Sequence, residues 1–138
     1  MSNQEAVSQS GKVAIIVDDM FFASKVTSAA EAAGRKVERL RSREQIENLT
    51  PPDLPQLVII DLNSDRINPI EAIELLKSQR ELESIPIVAF VSHVQIELIR
   101  RAQAAGCDFV LPRSAFTQML AQIVAGDLSS LRRNQARG

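Results

Sequence analysis

The chain has 138 residues, of which 45% are hydrophobic and 24% charged, with a formal net charge of −1. That length suits one domain with a single core, and that balance excludes a disordered chain. The near-neutral charge gives no field for nucleic acid, the polar opening "MSNQEAVSQSG" has neither the basic start nor the apolar centre of a signal peptide, and no apolar run approaches membrane-spanning length. The expectation is therefore a cytoplasmic protein with no nucleic-acid or membrane partner.

Residues 1–11 read as a disordered leader and 12–125 as the domain. "VAIIV" (13–17) is β-branched and wholly apolar, as a strand covered on both faces would be. Phe22, Val26, Ala29 and Ala33 then recur at helical spacing, ended by Gly34. "KVERL" (36–40) alternates, which predicts an edge strand, and Ile46 with Leu49 marks a short helix stopped by Pro51 and Pro52. "LVII" (57–60) is a third strand, followed by a helical stripe of Ile70, Ile73 and Leu76. "PIVAFV" (86–91) is the fourth, with Val94, Leu98, Ala102 and Ala105 as its helix, ended by Gly106. "DFVL" (108–111) is the fifth, followed by Phe116, Leu120 and Ile123. Residues 126–138, with Arg132, Arg133 and Arg137, read as a flexible basic tail. Five strands alternating with five helices imply parallel strands joined by right-handed crossovers, an open doubly wound α/β sheet.

In such a sheet, ligands bind outside the carboxyl ends of the strands. The first strand runs into Asp18 and Asp19, the third into Asp61 and Asn63, the fourth into Ser92 and His93, and the fifth into Pro112 and Arg113. Three carboxylates that close repel one another unless a cation joins them, and Mg²⁺ suits such hard oxygen ligands. An Asp beside that metal and a basic side chain is placed to attack a phosphoryl group and form an acyl phosphate. Taken singly, each of these residues is more often a helix cap or turn residue, so the weight lies in their joint placement. Cys107 and His93 are each the only residue of their type, which excludes a thiolate cluster or a metal centre built on histidines; Cys107 reads as a buried structural thiol.

At this point the chain resembles a bacterial response-regulator receiver domain of two-component signalling, over roughly residues 12–125. "VAIIVDD", "LVIIDLN", "IPIVAFVSH" and "AAGCDFVLPRSAF" agree with the family's segments in order and spacing. The resemblance implies a flavodoxin-like (βα)5 fold with strand order 2-1-3-4-5, Asp61 as phosphoacceptor, and Mg²⁺ held by Asp18, Asp19, Asp61 and the backbone carbonyl of Asn63. It also implies a histidine kinase or phosphotransfer protein as phosphoryl donor. Several positions depart from the family. The usual Thr or Ser falls on Val91, with Ser92 next to it; the usual Lys falls on Arg113; the switch aromatic falls on Val110; and the loop after Asp61 carries Asp65 and Pro69 where Pro and Gly are usual. Arg113 and Ser92 are the candidates to contact the phosphoryl group, and Val91 and Val110 are degenerate switch positions.

Two readings compete. One is a stand-alone receiver in a phosphorelay, phosphorylated on Asp61, losing the group by slow hydrolysis and signalling through a downstream protein. The other is a degenerate receiver acting as a phosphorylation-independent adaptor. An enzyme acting on small molecules is not expected, because the chain has no Gly-rich phosphate loop and no nucleophile paired with a base. By resemblance, the partner surface is the fourth helix, fifth strand and fifth helix. Ile96, opposite the apolar stripe of its helix, is the candidate contact there, and Leu75 is a weaker candidate of the same kind.

Overall fold

The computed structural model describes residues 11–93 and 95–134. Five strands form one parallel sheet in the order β2-β1-β3-β4-β5: β1 (Val13–Ile16), β2 (Val37–Arg39), β3 (Leu57–Asp61), β4 (Ile87–Val91) and β5 (Phe109–Pro112). This is the doubly wound order expected from the resemblance. The helices are α1 (Met20–Ala32), α2 (Arg43–Glu47), α3 (Pro69–Ser78), α4 (Ile96–Ala104), α5 (Arg113–Gln118) and α6 (Leu120–Val124), with a 3-10 turn at Leu131–Asn134.

Because successive strand residues point to opposite faces, each strand feeds two apolar layers. Ala14, Ile16, Val58, Ile60, Ala89, Val91 and Val110 pack with α2, α3 and α4. Val13, Ile15, Ile59, Val88, Phe90 and Leu111 pack with α1, α5 and α6. The three strands β1, β3 and β4 are buried along their whole length, whereas β2 at the sheet edge is half-buried. Local chemistry agrees with these elements. Ser42 accepts a hydrogen bond from the Gln45 N–H at the start of α2, Asn68 accepts from Ile70 and Glu71 ahead of Pro69 at the start of α3, and Gly34 takes up a φ of +79° just past α1.

Three expectations need correction. The predicted fifth helix is interrupted at Met119 (φ −104°, ψ 11°), giving α5 and α6. The buried face of α4 centres on Ile99 and Ala102, so of the stripe read from sequence only Ala102 is buried: Leu98 and Ala105 are only partly buried, and Val94 lies outside the described residues. The packed part of the chain also continues past residue 125. Leu131 is fully buried in the layer of α1 and α6, with Leu128 against it, because an apolar pair in a polar tail gains by covering the exposed flank of that layer. Residues 1–10 and 135–138 of the leader and tail lie outside the described residues. Cys107 hydrogen-bonds backbone carbonyls of Ile87 and Phe109, and burial pushes its thiol pKa up to about 12. It is therefore a protonated thiol at neutral pH.

Candidate functional site

The register of the sheet decides which side chains meet at its carboxyl edge. Ile16 stands beside Ile60, Asp61 beside Phe90, and Val91 beside Pro112. The residues that follow, Asp18 and Asp19, Asn63, Ser92 and Arg113, are therefore delivered to one rim by the strand ends.

Each carboxylate has one oxygen committed to the protein's own backbone. Asp61, 6% exposed, accepts the Asn63 N–H on Oδ1 at 2.9 Å. Asp18 Oδ2 accepts the amides of Asp65 (2.6 Å) and Arg66 (3.1 Å), tying the β3–α3 loop to the end of β1. Asp19 Oδ1 caps α1, accepting the amides of Phe21 (2.9 Å) and Phe22 (3.2 Å). The commonplace role of an Asp after a strand thus holds for Asp19. Its second oxygen adds something else, an ion pair with Arg113 Nη2 at 3.5 Å.

Arg113 is fastened on several sides. Its guanidinium carbon lies 4.2 Å above the centroid of the Phe22 ring and 5.9 Å from that of Phe90, and Nη1 reaches Ser92 Oγ at 3.5 Å. Its ion pair is with Asp19 and not with Asp61. Asn63 Oδ1 accepts the Ser92 N–H at 3.0 Å while its amide donates to Gln95 at 2.8 Å, so the side chain of Asn63 bridges the ends of β3 and β4.

The electrostatics follow this placement. Burial is the main reason the Asp61 carboxyl titrates above its ordinary value. The Asn63 N–H and the charge of Arg113 oppose that rise, and the charges of Asp18 and Asp19 add to it. Asp19 is held below the ordinary range, chiefly by the Phe22 amide, with Phe21 and Arg113 contributing.

The donor chemistry of this rim, carboxylates and carbonyls, fits a hard divalent cation. Among the described residues Asp18 Oδ1 and Asp61 Oδ2 accept no hydrogen bond. Yet no three His, Cys, Asp or Glu side chains among the described residues are gathered as a metal site. The carboxylates are near enough to raise the pKa of Asp61 without converging on one point.

Val91 and Val110, which the resemblance implies are degenerate switch positions, lie in the core. Val110 is fully buried and Val91 is 2% exposed, both in the layer of α3 and α4, whereas Phe90, the register partner of Asp61, belongs to the opposite layer. Ser92, one residue on, meets Arg113 instead. Ile96 is 50% exposed, as expected from its helical phase, while Leu75 is partly buried against the core.

Sequence reasoning passed over three features beside the site: the exposure of Met20 and Phe21 and the contact of Phe22 with Arg113. Among the described residues Met20 and Phe21 are the other large hydrophobic residues left exposed, Phe21 at 90%. With Asp19 as cap and Phe22 in the buried stripe, a rotation of 100° per residue already turns Phe21 away from the core. The ring of Phe22 as a seat for Arg113 had no such signal, since 91 positions separate the two in sequence.

No protein-family model and no curated protein sequence matches the chain. Solved structures do. The receiver domain of a signal-transduction histidine kinase from Syntrophus aciditrophicus is 22% identical, with 93% of this chain and 97% of that one covered and a TM-score of 0.71. The phosphorylated cyanobacterial phytochrome response regulator RcpA is 19% identical, covering 88% and 93% with a TM-score of 0.69. The Mn²⁺-bound form of the response regulator Rcp1 is 16% identical, covering 92% and 99% with a TM-score of 0.66. The chain has the fold of response-regulator receiver domains. No helix among the described residues is long and apolar enough to cross a membrane.

Proposed function

We propose that the protein is a single-domain receiver that accepts a phosphoryl group on Asp61 from a histidine kinase or phosphotransfer protein and signals by binding another protein. The observation that carries this reading is the buried Asp61 carboxylate at the end of β3, with Oδ2 unengaged, in the field of Asp18, Asp19 and Arg113. Asp61 Oδ2 attacks phosphorus, the bond from phosphorus to the donor's leaving atom breaks, and the acyl phosphate retains the phosphoryl charge. The Asn63 N–H holds the carboxylate in place for that attack, and the guanidinium of Arg113 is the nearby positive charge toward the developing negative oxygens. A divalent cation, by its chemistry Mg²⁺, would be held by Asp18, Asp19, Asp61 and the Asn63 carbonyl; when bound it supplies charge neutralisation at the transferring oxygens. The phosphorylated and Mn²⁺-bound states named for two proteins of the same fold support this reading.

The partner surface in this reading includes α4 and β5, with the half-exposed Ile96 as a contact. The module is not an enzyme; it is consumed and restored, the acyl phosphate being lost by slow hydrolysis. Incubation of the full chain with acetyl phosphate and Mg²⁺, followed by intact mass, should show one added phosphoryl group that is absent from Asp61→Asn. No adduct would overturn phosphoryl acceptance.

A second reading, a phosphorylation-independent adaptor, is favoured by one observation: Val91 and Val110 are packed into the core with neither a hydroxyl nor an aromatic ring to respond to a phosphoryl group. A missing hydrogen bond to a charged group costs about 1.5–3 kcal/mol against the roughly 5.5 kcal/mol a full two-state switch needs. An adaptor would bind its partner equally with and without acetyl phosphate.

A further inference from the structure

Between α2 and α3 lies a cavity of about 170 Å³ whose lining is part apolar and part charged. Ile46, Ile67 and Ala72, all buried, form its apolar side, and Leu75, partly buried against the core, borders it. An apolar cavity of about 150 Å³ holds a benzene ring, so this one has room for a benzyl or branched aliphatic side chain.

Arg43, Arg66 and Glu71 line the same cavity. Arg43 donates through Nε to Glu47 at 3.2 Å. The backbone N–H of Arg66 donates to Asp18 and that of Glu71 to Asn68, but among the described residues neither side chain forms a hydrogen bond or ion pair. An adjoining hollow shares Arg43, Glu71 and Leu75 and adds Glu74, so carboxylates continue along α3 beyond Arg66. The hollow beside Lys12 differs, because its charges already satisfy one another: Lys12 pairs with Glu38 at 2.8 Å and with Asp53 at 3.0 Å.

The backbone that carries Arg66 and Glu71 is fixed before any ligand arrives. Asp18 Oδ2 accepts the amides of Asp65 (2.6 Å) and Arg66 (3.1 Å), and Asn68 Oδ1 accepts those of Ile70 (3.0 Å) and Glu71 (3.1 Å). Binding there pays little for ordering the chain. A small inorganic anion would leave the apolar side uncovered, and a neutral apolar molecule would make no use of Arg66 or Glu71. A molecule that carries a carboxylate, an ammonium and an apolar side chain on one carbon meets all three.

We propose that this cavity binds a free α-amino acid with an apolar side chain, of the size of phenylalanine or leucine. The α-carboxylate pairs with the guanidinium of Arg66, the ammonium with Glu71, and the side chain covers Ile46, Ile67 and Ala72. None of Asp18, Asp19 and Asp61 lines the cavity, so the site does not depend on phosphoryl acceptance.

The test is an NMR titration of the isotope-labelled full chain with L-phenylalanine at millimolar concentration, followed through the backbone amides. Shifts should cluster at Ile46, Arg66, Ile67, Glu71 and Ala72. Phenylacetate lacks the ammonium, phenethylamine the carboxylate and glycine the apolar side chain, and each should bind roughly fivefold more weakly or worse. Arg66→Met and Glu71→Gln, both at exposed positions and checked by thermal unfolding, should each weaken phenylalanine roughly fivefold. The loss from Arg66→Met should vanish with phenethylamine, and the loss from Glu71→Gln with phenylacetate.

Phenylacetate or glycine binding as tightly as phenylalanine would overturn the proposal, as would phenylalanine affinities that both variants leave unchanged. Shifts confined to other parts of the chain, or none at all, would overturn it too. Binding of N-acetylphenylalanine amide without binding of the free amino acid would assign the cavity to a peptide segment and overturn it in the same way.

Discussion

At the carboxyl edge of the sheet, β3 ends in Asp61, whose carboxyl burial and the charges of Asp18 and Asp19 set against its ionised form, while β4 and β5 bring the apolar Val91 and Val110 to the layer beside it. Asp61 is buried and titrates high; Val91 and Val110 are buried and carry nothing to titrate. One half of the edge therefore holds a carboxyl group at a cost in stability, and the other is arranged for packing. Residues placed for packing lose stability when changed, and a charge held against its preference gains when it is neutralised.

Substitutions should expose this opposition in sign. The largest effect is expected at Phe90, which joins the aromatic cluster under Arg113: Phe90→Ala should lower stability by about 3–5 kcal/mol in urea unfolding. A loss below about 1 kcal/mol would break the picture of a rigid packed half. Leu131→Ala should cost about 2–4 kcal/mol if the segment after α6 belongs to the core, and nothing measurable if it is a free tail. Val91→Thr should cost roughly 1–2 kcal/mol, because its hydroxyl enters an apolar layer; a stabilised variant would mean that it had found a partner at the rim.

At Asp61 the sign reverses. Its pKa in the folded state lies above the ordinary 3.8, so the native state holds the proton more tightly than the unfolded chain does. Stability contributed by the protonated form is present below 3.8 and is lost as pH rises through the raised folded value. Asp61→Asn should therefore stabilise the protein by about 1 kcal/mol at pH 7, roughly 3 °C in melting temperature, with the gain vanishing below pH 3.8. A melting curve for the variant that follows wild type at both pH values would remove the electrostatic half of the contrast. The smallest effect is expected outside both halves: Ile96→Lys, at a half-exposed site, should shift stability by no more than about 0.5 kcal/mol while weakening binding to a downstream protein. A large loss of stability there would assign Ile96 to packing.

Much of this arrangement was legible in the chain itself. The apolar runs ending in Asp18, Asp19 and Asp61 announce parallel strands and the edge at which the carboxylates meet, because a strand covered on both faces must be apolar throughout and its polar residues appear where cover stops. The phase of α4 was misread by one position because Leu98 and Ile99 are both apolar, and only contact with the sheet chooses between them. Leu131 was missed because two leucines among polar residues show no period; burial there depends on α6 leaving a flank open.

By itself, then, the sequence determined the alternation of strands and helices and the edge at which the carboxylates meet, since these follow from local periodicity and residue chemistry, while the strand order and the reading of Val91 and Val110 came from the resemblance to receiver domains. Only the tertiary structure decided that Arg113 faces Asp19 and not Asp61, that it rests on Phe22, and that each carboxylate spends one oxygen on a backbone amide. The contacts of Arg113 and of Asp18 join residues dozens of positions apart across a sheet edge, where the direction of a side chain is set by register, burial and neighbouring charge, while Asp19 and Asp61 bond amides only two or three positions on, as an Asp after a strand commonly does.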